Sequence, residues 1–109
     1  MNLVTIRRDN KGYITGFTSE GHSGYAESGY DIVCAGISTL VINTINSIAE
    51  FTSIEFEPVF DEERAIINCD IDEYTDHDVQ LLFKSLLLGL TAIYESYGNE
   101  YINIIFEEV

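Results

Sequence analysis

Apolar positions along this chain alternate between a spacing of two and a spacing of three to four, and the switches mark its elements. Leu3 to Arg8 has strand character, Asp9-Asn10-Lys11-Gly12 reads as a turn, and Tyr13 to Ser19 is a second run rich in β-formers, so the opening predicts a hairpin. From Ile32 to Phe51 the apolar residues fall at Ile37, Leu40, Val41, Ile45, Ile48 and Phe51, the spacing of a helix with one buried stripe, and Asp31 stands where its N-cap is expected. Ile54 to Phe60 and Ala65 to Ile71 are two further strand candidates, joined by the charged turn Asp61-Glu62-Glu63-Arg64. In the second of them Ile67, Cys69 and Ile71 share one face, opposite Asn68 and Asp70. Thr75 opens a second helix with a capping-box-like T-x-x-D. Its stripe is Val79, Leu82, Phe83, Leu86, Leu90, Ile93 and Tyr97, and Gly98 stops it. Tyr101 to Phe106 closes the pattern as a last strand.

The order ββαββαβ predicts an α+β fold: a mixed or antiparallel sheet carrying two long helices, with residues 1–109 as one domain. Leu81, Leu87 and Leu88 widen the stripe of the second helix beyond one face, so that helix is either sandwiched in the core or covered by another subunit, and a homodimer is the expectation.

Composition adds constraints on partners. An apolar fraction of 46% with one proline argues for a folded chain, so the net charge of −14 must sit on a folded surface. Nineteen acidic against five basic residues repel nucleic-acid phosphates and anionic membranes and attract basic partners. Direct nucleic-acid and membrane binding are therefore not expected. The N-terminal stretch lacks a signal-peptide pattern, and no apolar run reaches the length of a membrane span, which points to the cytoplasm. There Cys34 and Cys69 stay reduced.

Candidate chemistry concentrates in GHSGYAESGYDIVCAG, residues 21–36, which sets His22 and Cys34 twelve positions apart around a glycine-containing loop. A cysteine near a helix start is favoured as thiolate by about 0.3 to 1 kcal/mol from the dipole. An imidazolium about 4 Å away is worth on the order of 4 kcal/mol at an effective dielectric near 20. If His22 reaches Cys34, the pair is the minimum apparatus for nucleophilic catalysis, with helix-start N–H groups as an oxyanion site. Gly24 and Gly29 then allow the loop to open and close over a substrate. The alternative is structural: Cys34 shares a helical face with Ile37, Val41 and Ile45, and free cysteine is often a small core residue.

The string Gly21-His22, then Gly29, Asp31, Ile32, Val33, Cys34, Ala35, Ile37 and Ser38 resembles the ribosomal-processing cysteine protease family (Prp), and the element order is similar from end to end. Gly36 departs from it, where the family often has alanine. The resemblance implies a homodimeric bacterial endopeptidase of the cytoplasm. It would remove the N-terminal extension of a large-subunit ribosomal protein, number twenty-seven, cutting after an apolar, aromatic-containing motif. In that family the residue matching Cys34 is the nucleophile and the one matching His22 the base. Asp31 and Ser38 belong to the motif; by position Asp31 caps the helix or orients the histidine, and Ser38 braces the site one turn beyond Cys34.

No cofactor is expected, and no metal: the two Cys and two His lack the short clamps of a zinc site. Cys69 reads as core, and His77 between Asp76 and Asp78 as solvated. Two other functions compete with the protease, namely a noncatalytic acidic adaptor or chaperone for a basic ribosomal protein, and a redox-sensing thiol at Cys34.

Overall fold

A computed structural model describes residues 2–21 and 28–109, with residues 28–30 described as helix backbone. Its elements are β1 (Asn2–Arg8), β2 (Ile14–Glu20), α1 (Ser28–Phe51), β3 (Val59–Asp61), β4 (Ile66–Asp70), α2 (His77–Tyr97) and β5 (Ile102–Glu108), the expected α+β order. The sheet runs β3-β4-β2-β1-β5. It is mixed, because β1 pairs antiparallel with β2 and parallel with β5.

The first hairpin turns on Asp9, whose Oδ1 accepts the N–H groups of Lys11 at 2.9 Å and Tyr13 at 3.0 Å. Gly12 takes the left-handed φ of 90° that the turn needs. Ladder register then assigns the faces: Ile6 lies opposite Phe17, Val4 opposite Ser19, and Phe17 and Ser19 opposite Cys69 and Ile67. This face carries both helices. Val33, Ile37, Val41, Ile45 and Ile48 of α1 meet Val79, Phe83, Leu86 and Leu90 of α2 above Val4, Ile6 and Phe17 in the core. Phe17 and Phe83 pack edge to face at 6.1 Å. On the open face, the Arg7 guanidinium bonds Thr18 Oγ1 at 2.7 Å, Asn68 Oδ1 at 2.9 Å and Asp70 Oδ1 at 3.0 Å, tying β1 to β2 and β4. Gly16 sits directly opposite Asp70, where a Cβ would collide with the Asp70 side chain and the Cys69 carbonyl.

Several expectations change. The first helix begins at Ser28, so Gly29 stands in its first turn instead of in a loop, and Asp31 is an exposed first-turn acid instead of the N-cap. There its charge still faces the positive end of the dipole. The cap of α2 is Asp76 and not Thr75; Asp76 Oδ2 accepts from Asp78 N at 3.0 Å and Val79 N at 3.1 Å. The third strand spans only Val59–Asp61, because Pro58 has no N–H to give a ladder, while Ile54 and Phe56 pack on the core without joining the sheet. Phe51 and Tyr97, placed in buried stripes, are exposed at helix ends.

Residues 31–51 also meet the length and composition of a membrane-spanning helix, contrary to the sequence reading. Polar residues interrupt the run, but Thr39 and Thr44 turn their hydroxyls back onto the Ala35 and Leu40 carbonyls, each at 2.8 Å. In the fold the apolar stripe of this segment lies against the sheet and α2.

Candidate active site

Antiparallel pairing brings the start of β1, the end of β2, the start of β4 and the end of β3 to one edge of the sheet. The second turn of α1 passes over that edge. Between them lies a cleft of about 220 Å³. Asn2, Ser19 and Gly21 supply its strand side, Cys34, Ile37 and Ser38 its helix side, and Phe60 to Glu62 with Ala65 to Ile67 its far wall. The wall is apolar at Phe60, Ile66 and Ile67 and acidic at Asp61 and Glu62. Gly21 N–H donates to the Ala65 carbonyl at 3.1 Å, which extends the β2–β4 pairing to the rim. The hairpin that carries this wall is held by Asp61, whose Oδ1 accepts Arg64 N–H at 3.1 Å, and it turns through Ala65 at a φ of 54°.

Cys34 therefore answers to both readings of the sequence. It is 7% exposed and continues the buried stripe of α1, yet it lines the cleft. Its position six residues beyond the start of α1 puts it past the unpaired N–H groups of the first turn, so the helix terminus contributes less at the sulfur than a start at Asp31 implied. A side-chain amide lies against the sulfur instead. Asn2 Nδ2 donates to Cys34 Sγ at 3.2 Å, and Sγ lies 3.5 Å from Asn2 Oδ1.

Ser38, one helical turn on, is exposed at the same cleft. Asp31 is not among the residues lining it. His22 and Gly24 lie outside the described residues. The sequence reading missed Asn2 and Phe60, and in it the acidic pair Asp61 and Glu62 is first a solvated turn and only second a docking surface. One signal for Asn2 was present: it shares the helix-facing parity of Val4 and Ile6, so an amide occupies a position where an apolar residue is expected.

The other cysteine is a different case. Cys69 is fully buried in the core, where burial, and then the neighbouring Asp70 carboxylate, push its thiol up to about 12. It has no access to solvent and carries no usable thiolate. His77 is exposed, with Nδ1 3.3 Å from Asp78 Oδ1. Among the described residues no group of three His, Cys, Asp or Glu side chains converges as a metal site.

A five-stranded mixed sheet with two helices on one face presents a helix-borne cysteine at a cleft, and the class of the domain follows from its relatives: a cysteine protease domain. The sequence profile of the family "Cysteine protease Prp" matches residues 1–103, and the chain belongs to that family. The Ribosomal processing cysteine protease Prp of Bacillus subtilis is 31% identical over 103 residues, covering 89% of this chain and 90% of that protein. Its Staphylococcus aureus counterpart is 29% identical over 98 residues, covering 90% and 92%. A crystal structure of the S. aureus protease in complex with a substrate peptide superposes with a TM-score of 0.91 at 28% identity, covering 98% of this chain and all of that one (100%). A Streptococcus mutans protein superposes at 0.89 with 30% identity, covering 100% and 96%.

Proposed function

We propose that this chain is the endopeptidase that removes the N-terminal extension of a large-subunit ribosomal protein, number twenty-seven, with Cys34 as nucleophile and His22 as general base and acid. The observation that carries the reading is the Cys34 sulfur at a cleft whose far wall is part apolar and part acidic, in a chain whose family is a protease family. Phe60 and Ile67 suit an apolar, aromatic-containing cleavage motif, and Asp61 and Glu62 suit a basic polypeptide.

In this mechanism the Cys34 thiolate attacks the scissile carbonyl carbon, forming the C–S bond and moving the carbonyl pair onto oxygen. Collapse breaks the C–N bond while the His22 imidazolium passes its proton to the departing amine. His22 then takes a proton from water, which attacks the thioester. Collapse of this second intermediate breaks the C–S bond, releasing the carboxylic acid product and returning the Cys34 thiolate beside the His22 imidazolium. Ser38, at the cleft one turn from the sulfur, is suited to bonding the substrate backbone, and Asp31 is assigned to orienting His22 by its place in the motif alone. Gly24 remains the hinge of the proposed substrate loop, whereas Gly29 acts within the first turn of α1.

Homodimerisation is supported by Leu81 and Leu88, exposed and seven residues apart on one face of α2. A cytoplasmic location goes with the ribosomal substrate. An acidic adaptor would use the charge equally well but has no need of a thiol at the cleft. Incubation with the extended precursor tests the reading: wild type shortens it and Cys34→Ser does not. If wild type leaves it intact, the peptidase reading fails. Cleavage of the basic precursor should slow as salt rises while cleavage of a short neutral peptide hardly changes; an equal response removes electrostatic steering.

A further inference from the structure

Asn2 is a polar residue at a core position. It is 4% exposed and pairs with Ile102 of β5. Burying an amide there is unfavourable unless its polar atoms are bonded, and the bonds it makes are directional. Its backbone N–H donates to the Tyr101 carbonyl at 3.2 Å, and its Nδ2 donates to the same oxygen at 3.0 Å. A carbonyl only accepts, so the amino end of the amide is the end held at Tyr101. The second Nδ2 hydrogen is then left for the Cys34 sulfur, 3.2 Å away. Gly21 leaves room for this arrangement, since a Cβ there would collide with Asn2 Oδ1.

We propose that Asn2 is a positioning residue for Cys34: its amide, aimed by the Tyr101 carbonyl, stabilises the ionised sulfur and holds it at the cleft. A thiolate accepts the Nδ2 hydrogen; a thiol turns its own hydrogen to Oδ1 at 3.5 Å. One side chain serves both forms, but the charged form takes the shorter contact, and hydrogen bonds to an ionised partner are the stronger kind. The donor has a task in this protein. A net charge of −14 opposes any further anion, and a neutral N–H at the sulfur offsets that locally. The contribution to turnover rests on the reading of Cys34 as nucleophile, whereas the effect on sulfur reactivity does not.

The test is the rate of iodoacetamide alkylation of Cys34 against pH, read by intact mass, in wild type, Asn2→Leu and Asn2→Asp. Leucine suits the apolar surroundings, and aspartate keeps the shape while removing both N–H groups. Circular dichroism identifies which variants are folded, and either one suffices. At neutral pH Asn2→Leu should react roughly tenfold more slowly, with its rate profile moved to higher pH. Asn2→Asp, with an anion against the sulfur, should move further in the same direction. For peptide cleavage kcat should fall with KM little changed. Rate profiles that coincide with wild type in a folded variant overturn the proposal. Displaced profiles in a protein that does not cleave the precursor uphold the contact and sink the protease reading alone.

Discussion

Replacing Cys34 by serine leaves Cys69 as the remaining thiol, and its reactivity can be worked from the structure. The side chain is fully buried between Ile67 and Ile71, and its thiol is pushed from an ordinary value of 9.0 up to about 12. At pH 8 the ionised fraction is then about one part in ten thousand, roughly a thousandth of that in an exposed thiol. Alkylation of native Cys34→Ser by iodoacetamide should therefore be at least roughly a thousandfold slower than that of free cysteine, before any obstruction by the core is counted. The same protein in urea should label at an ordinary rate. Mass spectrometry against time gives both numbers. A native rate within tenfold of free cysteine would refute the burial argument and would also spoil Cys69 as the silent background for assays of Cys34. Linkage supplies a second readout. Because the folded value is raised, the contribution of the thiol to stability is complete below about pH 9 and is lost as pH climbs toward 12, by about 1.4 kcal/mol per pH unit. Cys69→Val should remove that part of the alkaline slope.

Two further predictions concern packing. Gly36→Ala should stabilise the protein by about 1 kcal/mol, or about 4 °C in Tm, because a methyl group there gains helix propensity and meets Ile93 Cδ1 at an ordinary 3.5 Å; an unchanged or lower Tm in a thermal scan contradicts this. At Gly89 a Cβ would lie 2.9 Å from Leu40 Cδ1, so Gly89→Val should displace the Leu40 side chain and lose roughly 1 kcal/mol, and a gain in Tm would refute the close approach. Gln80 acts as a surrogate strand partner: Oε1 accepts Ile14 N–H at 3.1 Å, and Nε2 donates to the Ile14 and Tyr74 carbonyls at 2.7 and 2.6 Å. Gln80→Leu should cost roughly 3 kcal/mol in urea denaturation. Gln80→Glu should cost more at pH 7, since a carboxylate would face two carbonyl oxygens; the reverse order would refute the assigned bonding.

What could be read in the sequence was what periodicity carries. The stripe Ile37, Val41, Ile45, Ile48 and the stripe Val79, Phe83, Leu86, Leu90 are buried as spaced, and the alternation at Ile67, Cys69 and Ile71 correctly assigned Cys69 to the core. Features decided by competition between neighbours were harder to read. Thr75 and Asp76 both suit a cap, and the carboxylate wins by reaching two N–H groups. Ile54 to Phe60 has the composition of a strand, but Pro58 and the limited length of β4 leave only its end paired. The cleft itself depends on contacts between distant parts of the chain. Asn2 and Cys34 are 32 residues apart, and nothing local at either position announces the other. The glycine-rich motif pointed to a cysteine that does line the cleft, whereas the far wall at Phe60 to Glu62 looked like an ordinary charged turn.

The parallel pairing of β1 with β5 has a consequence for synthesis. As the polypeptide leaves the ribosome, Cys34 emerges early, but the Tyr101 oxygen that orients Asn2 belongs to a segment translated some seventy residues later. Until then β1 has an open edge and the sulfur lacks its oriented neighbour. The contact between Asn2 and Cys34 can therefore take its final form only once the last strand has been made and docks beside β1.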